Sequence, residues 1–321
     1  NAFSGAINII TGQQDKEFIS LRMTGGEYGL LGSQLSGSIK SRKSSHFVSV
    51  SHKKSNGYTD NTDFASTNVF YQALADTKAG QFDWQSGYLN KSFGANSFYT
   101  PKYPNQFEQI KTGFAHLKFE TGERIKVSPE VFYRCHQDRF ELFRDEPPAW
   151  YSGHNHHLTH VAGAGFNARF DHFAGKTAIG SQWRREFILS NKLGETMAAP
   201  KDVPGEDNAL FTHSKARNHF SFFIENDMSF SGFMISTGVM SHFSNDFGWH
   251  FYPGIDIGYA ITDKIRYFAS VNQSLRLPTF TDLYYEGPTN VGNPGLKPEK
   301  VTTFETGTKF VSSACKTHFS V

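Results

Sequence analysis

Cysteine is scarce in this 321-residue chain, and long apolar runs are missing from it. The two cysteines, Cys135 and Cys315, are too few for a disulfide framework or a zinc site, and such thrift fits an oxidising compartment. No stretch of 18 or more apolar residues occurs, which excludes a transmembrane helix. It does not exclude a transmembrane β-barrel, whose strands never form long apolar runs. Net charge is small as well: 32 Lys+Arg against 30 Asp+Glu leaves +2, which disfavours binding to nucleic acid through bulk charge. Amphipathic helices of useful length are absent from the pattern. Hydrophobic residues are only 38%, yet aromatics reach 15% with 32 Phe, a richness that excludes disorder.

Catalytic signatures are lacking too. There is no Gly-x-Ser-x-Gly elbow, no Walker A loop and no His-Glu-x-x-His. The adjacent Asp145 and Glu146 would point apart on a strand and cannot flank one bond. The expectation is a protein that is not an enzyme.

What the chain does have is period-2 alternation. In 124–136, Ile125, Val127, Val131 and Tyr133 fall on one face, while Arg124, Lys126, Glu130 and Arg134 fall on the other. Segments 111–120, 265–276 and 303–310 repeat the pattern. The expected strands are 16–25, 28–40, 45–54, 65–76, 80–91, 107–120, 124–137, 157–171, 175–190, 216–229, 232–242, 248–261, 265–276 and 300–311, with a fifteenth beginning near Thr317. From the second strand onward the connections run short, long, short, long, with one brief exception at His242–Phe247. A soluble sandwich, the competing architecture, has no reason to sort loop length by parity. A membrane barrel does, with short periplasmic turns and long extracellular loops. The strand lengths also suit a tilted membrane span better than ordinary globular strands. The predicted fold class is therefore all-β, a transmembrane antiparallel β-barrel. Fourteen strands with the next interrupted would leave an open edge in hydrocarbon, so a larger barrel is expected. The chain opens on Asn1 and ends at Val321 inside an apparent strand, which reads as a fragment.

The opening Asn1-Ala-Phe-Ser-Gly-Ala-Ile-Asn-Ile-Ile-Thr-Gly12 resembles the last strand of the plug domain of TonB-dependent outer-membrane receptors. Ser274-Leu-Arg-Leu-Pro-Thr-Phe-Thr-Asp-Leu-Tyr-Tyr285 and Gly292-Asn-Pro-Gly-Leu-Lys-Pro-Glu299 resemble a pair of barrel motifs in the same receptors, in the same order. Within that superfamily, Ser55-Asn-Gly-Tyr-Thr-Asp-Asn-Thr-Asp-Phe64 and the segment 93–107 are most similar to the vitamin B12 (cobalamin) receptor branch, especially that of Bacteroidetes. The resemblance implies a plug end over 1–12 and a partial barrel over 13–321, about 14 strands of an expected 22. It also implies active uptake of cobalamin or another corrinoid at the Gram-negative outer membrane. A siderophore receptor of the same architecture is the first alternative, and a passive porin or a soluble β-rich binding module stand behind it. Implied partners are the TonB complex, whose contact element would lie outside this chain, a corrinoid or iron-chelate ligand, a surface lipoprotein cap and outer-membrane lipid. A chain without that contact element is expected to be unable to transport by itself.

Candidate ligand contacts fall on the long loops. Phe93, Phe98, Tyr99 and Tyr103 are expected on the loop Lys91–Gln106, stiffened by Pro101 and Pro104; Trp150, Tyr151 and His154 are expected on the loop Asp138–Asn155. Rigid exposed aromatics offer large contact area at low entropy cost and suit a planar corrin or aromatic chelate. The bland reading packs these rings loop against loop or into an interfacial girdle. Asp60, Asn61 and Asp63 form an oxygen-rich cluster that suits Ca²⁺, although Asn and Asp also serve ordinary turns. In His154-Asn-His-His-Leu-Thr-His160, strand alternation would let His154, His156 and His160 converge on the lumen.

Overall fold

The computed structural model describes residue 11 and residues 16–287 and 290–310. It consists of one antiparallel sheet built by a meander. The strands are β1 (Phe18–Gly26), β2 (Leu30–Lys40), β3 (Ser44–Ser55), β4 (Phe64–Asp76), β5 (Gln81–Gly94), β6 (Phe107–Glu120), β7 (Ile125–Glu141) and β8 (Asn155–His172). There follow β9 (Gly175–Ser190), β10 (Glu195–Asp202), β11 (Leu210–Phe230), β12 (Phe233–Ser244), β13 (Gly248–Ala260), β14 (Ile265–Arg276) and β15 (Glu299–Phe310). Each strand pairs with its neighbour in sequence, except that β9 pairs β11 directly and β10 pairs only β11.

Thirteen of the fourteen expected strands are observed within a few residues of their predicted ends, and the other, expected at 216–229, is longer, running as β11 from Leu210. Two elements were not foreseen. β10 lies inside what reads as the loop 190–215, and a five-residue helix, α1 (Phe280–Tyr284), lies inside the loop before β15. The plug segment 1–12, apart from Thr11, and the strand expected near Thr317 lie outside the described residues. Thr11 is held on the wall: its hydroxyl accepts from Gln72 Nε2 at 3.2 Å and from Gln85 Nε2 at 3.0 Å, two residues directly opposite on β4 and β5.

Alternation gives the sheet two different faces. Ile125, Val131, Tyr133, Phe166, Trp183, Phe222, Ile224 and Val239 are large apolar residues left exposed on one of them. A water-soluble domain rarely leaves so wide a contiguous apolar face. On the opposite face the row across the sheet is mostly polar: Arg134, Val161, Glu186 and Arg217 follow one another as directly opposed partners. The short turns after β2, β4, β6, β8, β11 and β13 share one end, while the brief connections 27–29 and 245–247 fall at the other. The former include Thr77–Gly80, where the Thr77 hydroxyl caps the turn, and Ser231–Gly232, where both residues adopt positive φ. A positive φ is cheap for glycine, and the turn places one at Gly232. At the other end stand the long loops 56–63, 95–106, 142–154 and 277–298. Beside them rises the 21-residue strand β11, with β10 against its upper part. A small apolar core of Leu189, Val203 and Phe211 fills the space under that extension.

Candidate ligand-binding site

The loop end is knitted together by side chains. Arg144 makes a bidentate pair with Asp63, with Nη1 2.6 Å from Oδ1 and Nη2 3.0 Å from Oδ2, and donates to Asn61 Oδ1 at 3.3 Å. Its guanidinium sits 4.3 Å from the Phe107 ring centroid, and its backbone N–H reaches Asn105 O at 2.9 Å. The guanidinium holds the Asp63 carboxyl below the usual carboxylate range. Asn61 in turn donates to Pro104 O and Gln106 O at 2.9 and 2.6 Å. Loops 56–63, 95–106 and 142–154 are thereby joined. A calcium ion at Asp60, Asn61 and Asp63 would have to compete with Arg144 for the Asp63 carboxylate. Among the described residues no group of three or more His, Cys, Asp or Glu side chains is gathered as for a metal.

The aromatics form a herringbone over this frame. Phe143 makes edge contacts with Tyr103, Trp150 and Tyr151 at 5.4–5.5 Å, and Tyr99 bridges Phe98 and Phe140 at 4.9 and 5.3 Å. Edge-to-face geometry at these separations is the favoured arrangement of rings. Tyr99 donates to Glu108 at 2.7 Å; partial burial and that carboxylate push its hydroxyl pKa up. So the rings do pack loop against loop, yet Phe98 and Trp150 keep most of their surface open, at 75% and 58% exposure.

Beneath the loops lies a cavity of about 1620 Å³. Tyr99, Tyr103, Trp150 and Tyr151, four of the residues expected on ligand, line its upper wall. Phe93 lines a separate, smaller cavity, and Phe98 stands outside both. His154 lies against Tyr151 and Glu141, with Nδ1 3.3 Å from the Tyr151 hydroxyl and Nε2 4.0 Å from Glu141 Oε2. The expected histidine convergence is corrected by the register. The residues of β8 that line the cavity are Asn155, His157, Thr159 and Val161, so alternation puts His156 and His160 on the other face. There His160 stacks between Tyr133 and Phe187.

The lower wall was missed from sequence. Arg184, Glu186, Arg217, His219 and His242 line it. Arg217 is 3% exposed; its Nε meets Asp246 Oδ2 at 2.8 Å and its Nη1 donates to Pro278 O at 2.9 Å, with Phe280 4.8 Å away. His219 Nδ1 and His242 Nε2 are 3.2 Å apart, and Glu186 Oε2 lies 3.4 Å from His219 Nε2. Arg217 Nη2 and Arg184 Nε have no hydrogen-bond partner among the described residues. The third wall is the loop after β14. Arg276 pairs with Asp282 and Glu299 at 2.9 and 3.2 Å, and Thr279 and Asp282 form a reciprocal capping box at the start of α1. The Thr279 backbone N–H, with Arg276 nearby, holds the Asp282 carboxyl below its ordinary range. The two motifs Ser274–Tyr285 and Gly292–Glu299 thus build one folded lobe over the cavity.

A family model described as TonB dependent receptor-like, beta-barrel matches residues 24–315. The chain is 22% identical over 327 residues to the vitamin B12 transporter BtuB of Vibrio vulnificus, covering 96% of this chain and 48% of that protein. It is 21% identical over 243 residues to BtuB of Photobacterium profundum, covering 67% of this chain and 39% of that one. It therefore spans about half the length of the curated relatives it matches. Among solved structures it is similar to the siderophore receptor PirA from Pseudomonas aeruginosa, with a TM-score of 0.68 at 13% identity over 88% of this chain and 50% of that one. The copper transporter OprC gives a TM-score of 0.69 at 13% identity, over 92% and 51%. At that identity the likeness is one of fold. The exposed apolar face is then the lipid face and the cavity face the lumen, and the chain belongs to the TonB-dependent receptor-like β-barrel family of the Gram-negative outer membrane.

Proposed function

We propose that this chain forms the wall and the extracellular mouth of a receptor for active uptake of cobalamin or another corrinoid. The observation that carries the reading is the 1620 Å³ cavity under four aromatic side chains of two tethered loops. Ordinary small-molecule pockets run to about 1,000 Å³, so this one suits an unusually large ligand. Its rings offer flat contact to a planar macrocycle, and Arg184 and Asn155 offer donors to peripheral amide carbonyls. The two vitamin B12 transporters among its relatives support the same choice. Uptake would be driven through a plug, of which 1–12 is the proposed last strand, by TonB acting from the inner membrane. No step of the process calls for bond-making chemistry.

The test is equilibrium binding of cyanocobalamin and of a ferric catecholate chelate to the purified product of the natural gene in detergent. Corrinoid binding without chelate binding is expected, and Trp150→Ala with Tyr99→Ala should weaken it at least about tenfold, as for a pair of aromatic anchors. Binding of the chelate alone would replace this reading with that of a siderophore receptor.

A further inference from the structure

A second cavity, of about 570 Å³, lies on the luminal face of β1–β5. Its lining includes the cations Arg22, Lys53 and Lys91 and no acidic side chain. In this it differs from the large cavity, where both signs alternate. Register explains the gathering. Thr24, Gly32, Lys53, Ser66 and Lys91 follow one another across five strands as directly opposed partners, and Arg22 lies in the row below. Lys91 Nζ is poised 4.5 Å from the Phe93 ring centroid. None of the three cations has an acidic partner among the described residues. Lys53 and Lys91 stand two strands apart in one row, about 10 Å between Cα atoms, so an anion seated between them is within reach of both long side chains.

The two cavities adjoin. Phe93 lines the small one, Glu108 lines the large one, and these residues are directly opposed on β5 and β6, about 5 Å apart between Cα atoms. An arm that crosses from β6 to β5 over the Phe93–Glu108 pair would carry a group from the large cavity to the small one. We infer that the Arg22–Lys53–Lys91 cavity is a subsite for an anionic phosphoryl group on an arm of the cargo. This rests on the corrinoid reading: the nucleotide arm of cobalamin carries a phosphodiester, and cobinamide is the same macrocycle without that arm. Hydroxyls of Ser51 and Ser66 in the lining complete a donor set for phosphate oxygens.

Binding of cyanocobalamin and of cobinamide to the natural gene product, by titration in detergent, separates the possibilities. Lys53→Gln and Lys91→Gln should each weaken cyanocobalamin about tenfold and cobinamide less than about twofold, since one charge-assisted contact is lost in the first case and none in the second. Lys91→Arg should retain most of the affinity. Cobinamide binding doubles as the folding control in every variant. Equal losses for both ligands would mean that these cations hold the wall and not the arm; unchanged cyanocobalamin binding would mean that the subsite is unused. Either result overturns the inference and leaves the corrinoid reading intact. Failure of the unaltered protein to bind either corrinoid would instead overturn the reading beneath it.

Discussion

Arg144 joins three loops through one planar group. Its two parallel bonds to Asp63 demand the guanidinium fork, which a lysine cannot supply. Arg144→Lys and Arg144→Ala are both expected to speed proteolysis within loops 95–106 and 142–154, by about three- to tenfold, the scale of roughly one kilocalorie per mole for a half-exposed bidentate pair. Cleavage rates in folded protein check this. The same contact sets a pH dependence. The Asp63 carboxyl is lowered in the folded state, so its stabilising contribution is fully present above the ordinary carboxylate value of 3.8. It is lost only as pH falls below that value, through the lowered native one. Proteolysis with an acid-active protease should therefore be flat from neutrality to about pH 5 and accelerate below pH 4, an acceleration absent from Asp63→Asn. This residue was legible as chemistry but not as partner. Asp63 was visible as an oxygen donor, whereas Arg144 lies 81 residues away and only the fold brings the two together.

At the scale of elements, the barrel strands announced themselves because lipid on one side and water on the other impose alternation, as between Ile125 and Cys135. β10 did not. Glu195–Asp202 reads Glu-Thr-Met-Ala-Ala-Pro-Lys-Asp and pairs on one side only, so no lipid face demanded an apolar period of it. α1 is too short to show a helical period, although Thr279 and Asp282 carry a capping-box spacing. The lower cavity wall was hidden for another reason. His219 and His242 are 23 residues apart, and their meeting depends on the β11–β12 register, which a two-residue turn sets. The lobe 277–298 hangs on Arg217 in the same way. Arg217→Met should strand the Asp246 carboxylate and cost about 3–5 kcal/mol, read as a lower urea midpoint in detergent. Arg217→Met combined with Asp246→Asn should recover part of that loss, because the buried charge is then gone.

At the scale of the whole molecule, one face meets hydrocarbon and the other does not. Val131, half exposed near the middle of β7, and Ser128, on the luminal side, lie three positions apart. Val131→Lys should destabilise the bilayer-inserted protein by about 2–4 kcal/mol, while Ser128→Lys should change it by less than about 1 kcal/mol. Urea titration in liposomes measures both, and equal effects would contradict the assignment of the faces.

The unbroken meander has a mechanical consequence. Its hydrogen bonds lie across the strands, and neighbouring strands run side by side for up to sixteen consecutive rungs, as between β8 and β9. A tug directed along the lumen, such as one applied to anything seated against Gln72 and Gln85, loads those rungs in shear, many at once. A peel from the side of an outer strand opens them one after another. The wall is therefore stiff along the lumen and weak across it, so a load on whatever lies inside is shared by many rungs of the sheet before any one of them opens.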